Sequence, residues 1–247
     1  SSLIRMLKFF LFFLFIFINT QSFAQLIVLQ ARGGEFKVGQ SVSAKKVITL
    51  KEGERVTFIG SDGKSTTLRG PFNGPPIKNE EIVKTDPTKA LGVLIAKRDA
   101  RTSSIGVIRA GTGDIQTPDP TAIDISRGGP RCLFEGNQPE FWRPNSEKKE
   151  NFVMFPLDRS WRADLVWEKG QDRIVMPPDL TKFEEGVTTV LVNYDQQEHA
   201  ISFNIIPKVI KDEFILTAWM LEKGCIQQAN SLLLQISKEI KTIPNVD

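Results

Sequence analysis

The chain has 247 residues, with 32 Lys and Arg against 29 Asp and Glu, two cysteines and a single histidine. A formal charge of +3 with no basic cluster along the sequence excludes the footprint of a nucleic-acid binder, and one histidine excludes a histidine-rich metal site. The two cysteines cannot form a structural zinc site by themselves, since that takes four clustered ligands.

The segment Leu7–Ile18 reads LKFFLFFLFIFI, with Arg5 just upstream and Ser22-Phe23-Ala24 shortly after it. A basic front, a short apolar middle and small residues at the −3 and −1 sites are the pattern of a secretory signal peptide. Residues 1–24 therefore read as a leader, cleaved after Ala24 to leave Gln25 at the N-terminus. The alternative is a retained anchor, but a spanning helix needs about 20 apolar residues and this run stops at about a dozen. A cleaved leader predicts a periplasmic or secreted protein with no membrane span after cleavage.

Residues 25–76 alternate in polarity and turn at short intervals. LIVLQA, KVITL, RVTFIG and STTLRG read as strands, separated by Arg32-Gly33-Gly34, Lys51–Glu54 and Ser61–Lys64. Asp62-Gly63 between two β-rich runs predicts a hairpin with a type I′ turn, in which both central residues take positive φ. Val56 and Phe58 fall on one face of that hairpin, Thr57 and Ile59 on the other. Strands about ten residues apart predict a small barrel or sandwich. The run Gly70–Pro76 ends it, because proline cannot donate to a sheet.

Residues 77–131 predict a helix from about Pro87, with Leu91, Leu94 and Ile95 on one face, and a strand over Ser104–Arg109. The remainder, including Gly111–Asp114 and Arg127–Gly129, reads as a Gly- and Pro-rich linker. Neither glycine run opens a helix after a strand, so neither has the setting of a phosphate cradle.

A second β module spans 132–207. Ala163, Leu165 and Trp167 alternate with Asp164 and Val166, and Val190, Val192 and Tyr194 with Thr189, Leu191 and Asn193. This is the pattern of a half-buried antiparallel sheet, and about six short strands suggest an immunoglobulin-like sandwich. Residues 208–247 change period. Phe214, Ile215, Ala218, Trp219 and Leu221, then Ala229, Leu232, Leu233, Ile236 and Ile240, make two apolar stripes across Gly224, which sits where a helix C′ glycine belongs. The fold class expected is mostly β with a C-terminal α-helical hairpin, whose stripe takes the second β module as its default cover.

In an exported protein Cys132 and Cys225 most simply form one disulfide; two buried thiols are the alternative. A bond would pin the hairpin to the second module and requires Cα atoms within about 7 Å. Neither cysteine has a Cys-x-x-Cys partner, so the role expected is structural.

Gly39, Leu50, Gly53, Val56, Asp62, Gly63, Leu68, Gly70 and Pro71 form a spaced pattern that ends in Leu-x-Gly-Pro. It resembles the β-helical FecR-type module of bacterial envelope proteins. FecR regulators also carry a cytoplasmic segment and a transmembrane helix, so signalling to a sigma factor is not implied. Cys132, Trp142-Arg143-Pro144, Trp167 and Gly224-Cys225-x-x-Gln228-Ala229 are similar to exported proteins of Gram-negative bacteria in which a FecR-like module precedes a second β domain and a helical tail. That similarity implies a Gram-negative setting and no particular activity.

Among the tryptophans, Trp167 and Trp219 lie on apolar stripes, whereas Trp142 and Trp161 are candidates for a glycan-stacking surface, with core packing as the plainer reading. His199 reads as a surface strand position. Glu80, Glu81, Asp164, Glu184 and Glu185 show no spacing that pairs an acid with a base. No catalytic residue, metal ligand or cofactor motif stands out. The expectation is a non-enzymatic periplasmic binding or scaffold protein, with an envelope protein or glycan as partner. The alternatives are a glycan- or peptidoglycan-binding protein and a hydrolase with an unrecognised site.

Overall fold

The computed structural model describes residues 24–77, 86–104, 116–176 and 187–242. The leader through Phe23, the expected strand beyond Ser104, the Gly111–Asp114 run and the carboxylates Glu80, Glu81, Glu184 and Glu185 lie outside the described residues.

The first module has strands β1 (Gln25–Arg32), β2 (Ser41–Ser43), β3 (Ile48–Leu50), β4 (Arg55–Ile59), β5 (Ser65–Arg69) and β6 (Phe72–Gly74). Four of them make an antiparallel sheet in the order β2-β1-β4-β5, and β3 pairs with β6 in a separate ribbon. Leu26 and Val28 of β1, Val56 and Phe58 of β4, and Ile48 and Leu50 of β3 close one core, as the alternation of Val56 and Phe58 predicts. Each such fully buried side chain contributes roughly 1.5–3 kcal/mol by leaving water.

The Asp62-Gly63 hairpin exists, but its turn differs from the expected type I′. Gly63 N–H bonds to the Gly60 carbonyl (3.0 Å), Gly60 N–H bonds to the Lys64 carbonyl (3.1 Å), and only Gly63 takes positive φ. This is a three-residue loop with a left-handed residue at its end. The reason is partly tertiary: a Cβ on Gly63 would come within 2.5 Å of Leu94 Cδ1, so the turn is pressed against the neighbouring helix.

That helix is α1 (Pro87–Ser104), which begins where Pro87 predicts; the Asp86 carboxylate accepts the Thr88 N–H (3.0 Å). The C-terminal hairpin follows as α2 (Glu213–Glu222) and α3 (Ile226–Thr242). Asp212 caps α2 through Ile215 N–H (2.9 Å). At the other end Gly224 N–H bonds to the Leu221 carbonyl and Cys225 N–H to the Met220 carbonyl (2.8 Å), the pairing that a left-handed C′ glycine makes possible.

The apolar stripe of the hairpin is covered from two sides, which corrects the expectation that the second module alone covers it. Ile27 and Leu29 of β1 and Ile59 of β4 share a core with Leu91 and Ile95 of α1, the faces of α2 and α3, and Cys132 and Ile206 of the second module. The physical reason lies in β1: Leu26 and Val28 face the first module's interior, and Ile27 and Leu29 face the helices, so both faces of that strand are buried. The three helices therefore fill the space between two β modules. The stripe ends at Ile236, and Ile240 is half exposed.

The second module has β7 (Ala122–Asp124), β8 (Gly129–Phe134), β9 (Glu140–Trp142), β10 (Glu150–Pro156), β11 (Ala163–Trp167), β12 (Arg173–Val175), β13 (Val187–Tyr194) and β14 (Gln197–Ile206). They form sheets in the orders β11-β10-β13-β14-β8 and β12-β9-β7. Ile123 and Phe141 from the smaller sheet and Phe152, Trp167, Val192 and Phe203 from the larger one share a core. The described part of the expected linker is structured from residue 116: Ala122, Ile123, Asp124 and Ile125 are buried, and β8 already begins at Gly129. Gly128 is needed for close approach, since a Cβ there would lie 3.0 Å from the Ala200 carbonyl oxygen. The β7–β9 and β8–β14 pairs are parallel, where a wholly antiparallel arrangement was expected. The molecule is mostly β with C-terminal helices, and no described helix is long and apolar enough to cross a membrane.

Candidate functional site

Three polar arrangements lie in the second module and its seam with the helices. The first is the disulfide. Cys132 and Cys225 are bonded, with Cα atoms 5.9 Å apart across 93 residues, as the sequence predicts. Cys225 is the last residue of the three-residue link between α2 and α3, and its carbonyl accepts the first α3 bond, from Ala229 N–H (3.0 Å). One turn on, the Gln228 amide brackets the same strand. Its Oε1 accepts the Cys132 N–H (2.8 Å), and its Nε2 donates to the carbonyls of Cys132 (2.7 Å) and Pro120 (2.8 Å). A side-chain amide thus takes the place of the next strand on the β8 edge, which would otherwise leave main-chain groups buried without partners.

The second arrangement surrounds Asp124, which is fully buried. Its carboxylate accepts from Ser126 N–H and Oγ and from Gln227 Nε2 (3.1 Å), and it pairs with Arg127 (3.5 Å). Buried Arg131 donates to the carbonyls of Asp124, Arg127 and Pro130. Burial pushes the Arg131 guanidinium down to about 10, with Asp124 opposing the shift and Arg127 adding to it. His199, expected at the surface, is half-buried, with Nε2 at 2.5 Å from the Ile125 carbonyl. That carbonyl calls for the proton on Nε2 of the neutral ring. Burial is the main reason its pKa lies below the ordinary value, and Arg131 lowers it further.

The third arrangement is centred on Arg143, whose side chain is completely buried. It donates to the carbonyls of Lys148, Glu168 and Gln171, each at 2.8 Å, and lies 5.1 Å from the Trp167 ring centroid. Glu150 stands 3.9 Å away. Burial first, and then the Glu150 carboxylate, push the Tyr194 phenol up. In all three arrangements the strongest donors are directed at the protein's own main chain. What they can do chemically is hold loops.

An open cleft of about 370 Å³ lies beside the disulfide strand, lined by Thr121, Leu133, Phe134, Asn137, Gln138, Glu140 and Val175. Arg173 bridges Glu140 (2.5 Å) and Asp119. Partial burial raises the Asp119 pKa, but hydrogen bonds from Thr121 and Arg173 outweigh it and hold the carboxyl below its ordinary value.

Of the two candidate stacking rings, Trp142 is 8 % exposed and so presents little of its face to solvent. Trp161 is half-buried and packs on the edge of the second core. The structure leaves the glycan-stacking surface with one partly open ring, because β9 turns Trp142 inward. Trp167 and Trp219 are buried, as their stripes predict. Asp164 is taken up by a salt bridge with Arg162 (2.9 Å). Among the described residues no group of three His, Cys, Asp or Glu could hold a metal ion. The roles of Arg131, Gln227 and Gln228 were not read from the sequence; an Arg or Gln beside a cysteine carries no period that marks it. No family model matches the chain, and no curated protein matches it.

Proposed function

We propose that the chain is an exported protein of the Gram-negative periplasm that works by binding or scaffolding within the cell envelope, without chemistry of its own. On this reading residues 1–24 are a cleaved signal peptide, the first module is FecR-like and the second is a variant of the immunoglobulin-like sandwich. The observation that carries the proposal is the Cys132–Cys225 bond at the seam between sheet and helices. Such a bond persists in an oxidising compartment and is rare where thiols are kept reduced. The direction of Arg131, Arg143 and Gln228 toward main-chain carbonyls supports the absence of chemistry.

The test is fractionation of cells that express the full chain. The periplasmic fraction should hold a protein that begins at Gln25, with no free thiol, and that captures envelope components on cross-linking. Recovery from the cytoplasm with residues 7–24 attached would sink the export reading.

A second reading, a glycan-binding protein, is favoured by the amide-lined cleft beside Phe134 and by the partly open Trp161 ring. A saturable quench of tryptophan fluorescence by muropeptides, lost in Trp161→Ala, would establish it.

A further inference from the structure

The helix-facing side of the first sheet carries a separate arrangement at its far end, beyond the rows that hold Ile27 and Ile59. Arg32 on β1 lies directly opposite Arg55 on β4, and Arg55 lies directly opposite Arg69 on β5. Directly opposed residues of antiparallel strands share a face, and neighbouring strands lie about 4.8 Å apart, so the three side chains stand in a row about 10 Å long. Val56 and Phe58 turn into the core, which sends Arg55 and Thr57 outward. Arg32 and Arg69 are exposed, and Arg55 is half-buried. Among the described residues none of the three guanidiniums makes a hydrogen bond or an ion pair. Glu54, the acid next to Arg55 in sequence, is turned back: its carboxylate accepts the Lys51 N–H (2.8 Å), and its stem lies against Gly33. Like charges placed directly opposite destabilise a sheet, so the row works against the fold.

The next row along the same face is Gln30, Thr57 and Thr67, with the two threonine hydroxyls 2.9 Å apart. A line of cations therefore runs beside a line of neutral hydrogen-bonding groups. None of the exposed large apolar side chains lies on β1, β4 or β5. That argues against a lipid surface, which needs apolar anchors beside its basic residues. The outward side chains of these rows include no aromatic ring, which argues against stacked nucleic-acid bases.

We propose that this face binds an acidic glycan, a linear chain of sugars bearing carboxylates. The arginine row engages the carboxylates, and Gln30, Thr57 and Thr67 engage neighbouring hydroxyls. Guanidinium forks match carboxylates bidentately, and a row suits a line of anions better than a single one. The proposal rests on the glycan reading above and moves it to the first module, away from Trp161 and the cleft.

The chain from Gln25 is titrated by calorimetry with trigalacturonate, and with its methyl ester as a neutral match. The acid should bind, the ester should not, and added salt should weaken binding. Each of Arg32→Gln, Arg55→Gln and Arg69→Gln should weaken it about fivefold, the factor of a single exposed charged contact. The triple variant should not bind, and its melting temperature should hold or rise as the opposed charges go. No binding by the unaltered chain, equal binding of the ester, or unchanged binding by the triple variant would each overturn the proposal. A fall in melting temperature would overturn it too, by giving the arginines a structural role. Binding to phosphatidylglycerol vesicles without binding to the trimer would replace the glycan with a lipid surface. Loss of trimer binding in Trp161→Ala with the triple arginine variant still binding would keep glycan recognition and reject this face. Failure of export would reject the broader reading and leave the titration intact.

Discussion

In the first β module the loops close where a side chain is missing, whereas in the second they close on side chains that reach inward. Gly53 and Gly63 take positive φ at their turns, and a Cβ on Gly70 would lie 1.7 Å from the Lys51 carbonyl oxygen. In the second module Arg143 gathers three carbonyls from two loops, Arg131 gathers three more, and Gln228 brackets Cys132. A glycine fixes a path by removing an obstacle, so the path fails when any side chain is added. A buried guanidinium fixes a path by donation, so the path loosens in proportion to the donors removed. The first device should break abruptly, and the second should weaken by degrees.

The largest effect expected tests the first half of that contrast. Gly70→Ala places a methyl against the Lys51 main chain and should cost more than about 4 kcal/mol in a urea melt, a size reserved for named steric or burial faults. A loss within about 1 kcal/mol of zero would show that the loop yields and that the two modules do not differ. Next in size is the covalent device at the seam. Cys132→Ser and Cys225→Ser should each lower stability by about 3–4 kcal/mol, and the double variant by no more than either. Two thiols titrated in the unreduced native protein would remove the bond from consideration.

Arg143→Met keeps most of the stem and deletes every donor. It should cost about 2–3 kcal/mol, since the three carbonyls at 2.8 Å lose a partner that water replaces in part. Amide exchange should quicken at 145–150 and 168–172 before it quickens elsewhere. Uniform protection across the module would argue that packing on Trp167 matters more than donation. The smallest effect sharpens the contrast with pH. His199 is the one histidine of the chain, and burial holds its pKa below the ordinary value, so the unfolded chain takes up the proton first. Its contribution is fully present above the ordinary histidine value and is lost as pH falls through the folded one. Urea melts between about pH 7.5 and pH 5.5 should show a decline that His199→Gln flattens. An unaltered decline in that variant would place the titration elsewhere.

The sequence was most legible where one residue type has one physical use. Pro87 and Gly224 bound their helices as expected, and a lone cysteine pair pointed to the bridge. It was less legible where the same conformation has two sequence routes. The two-residue turn with both residues at positive φ occurs at Asp195-Gln196, with no glycine to mark it, whereas Asp62-Gly63 looked like such a turn and is not one. Strand β7 was hidden because three residues show no period, and the Pro, Thr and Gly around them read as linker. The double-sided burial of β1 could have been read: LIVL is an unbroken apolar run, the mark of a strand covered on both faces. The arginine row could not be, because Arg32, Arg55 and Arg69 become neighbours only through strand register.

The disulfide also sets a timetable. Synthesis runs from β1 to α3, so the layer that joins the two modules is finished last. When Cys132 has been made, its partner is still 93 residues away. Once β14 is made, Ile27, Leu29 and Ile59 on one side and Ile206 on the other have only α1 to complete their shared core until residues 213–236 arrive. The nascent protein must carry two formed sheets whose facing apolar surfaces only α1 covers, and such a species is prone to aggregate. A chain cut short before Asp212 would keep every strand of the fold and remain in that state.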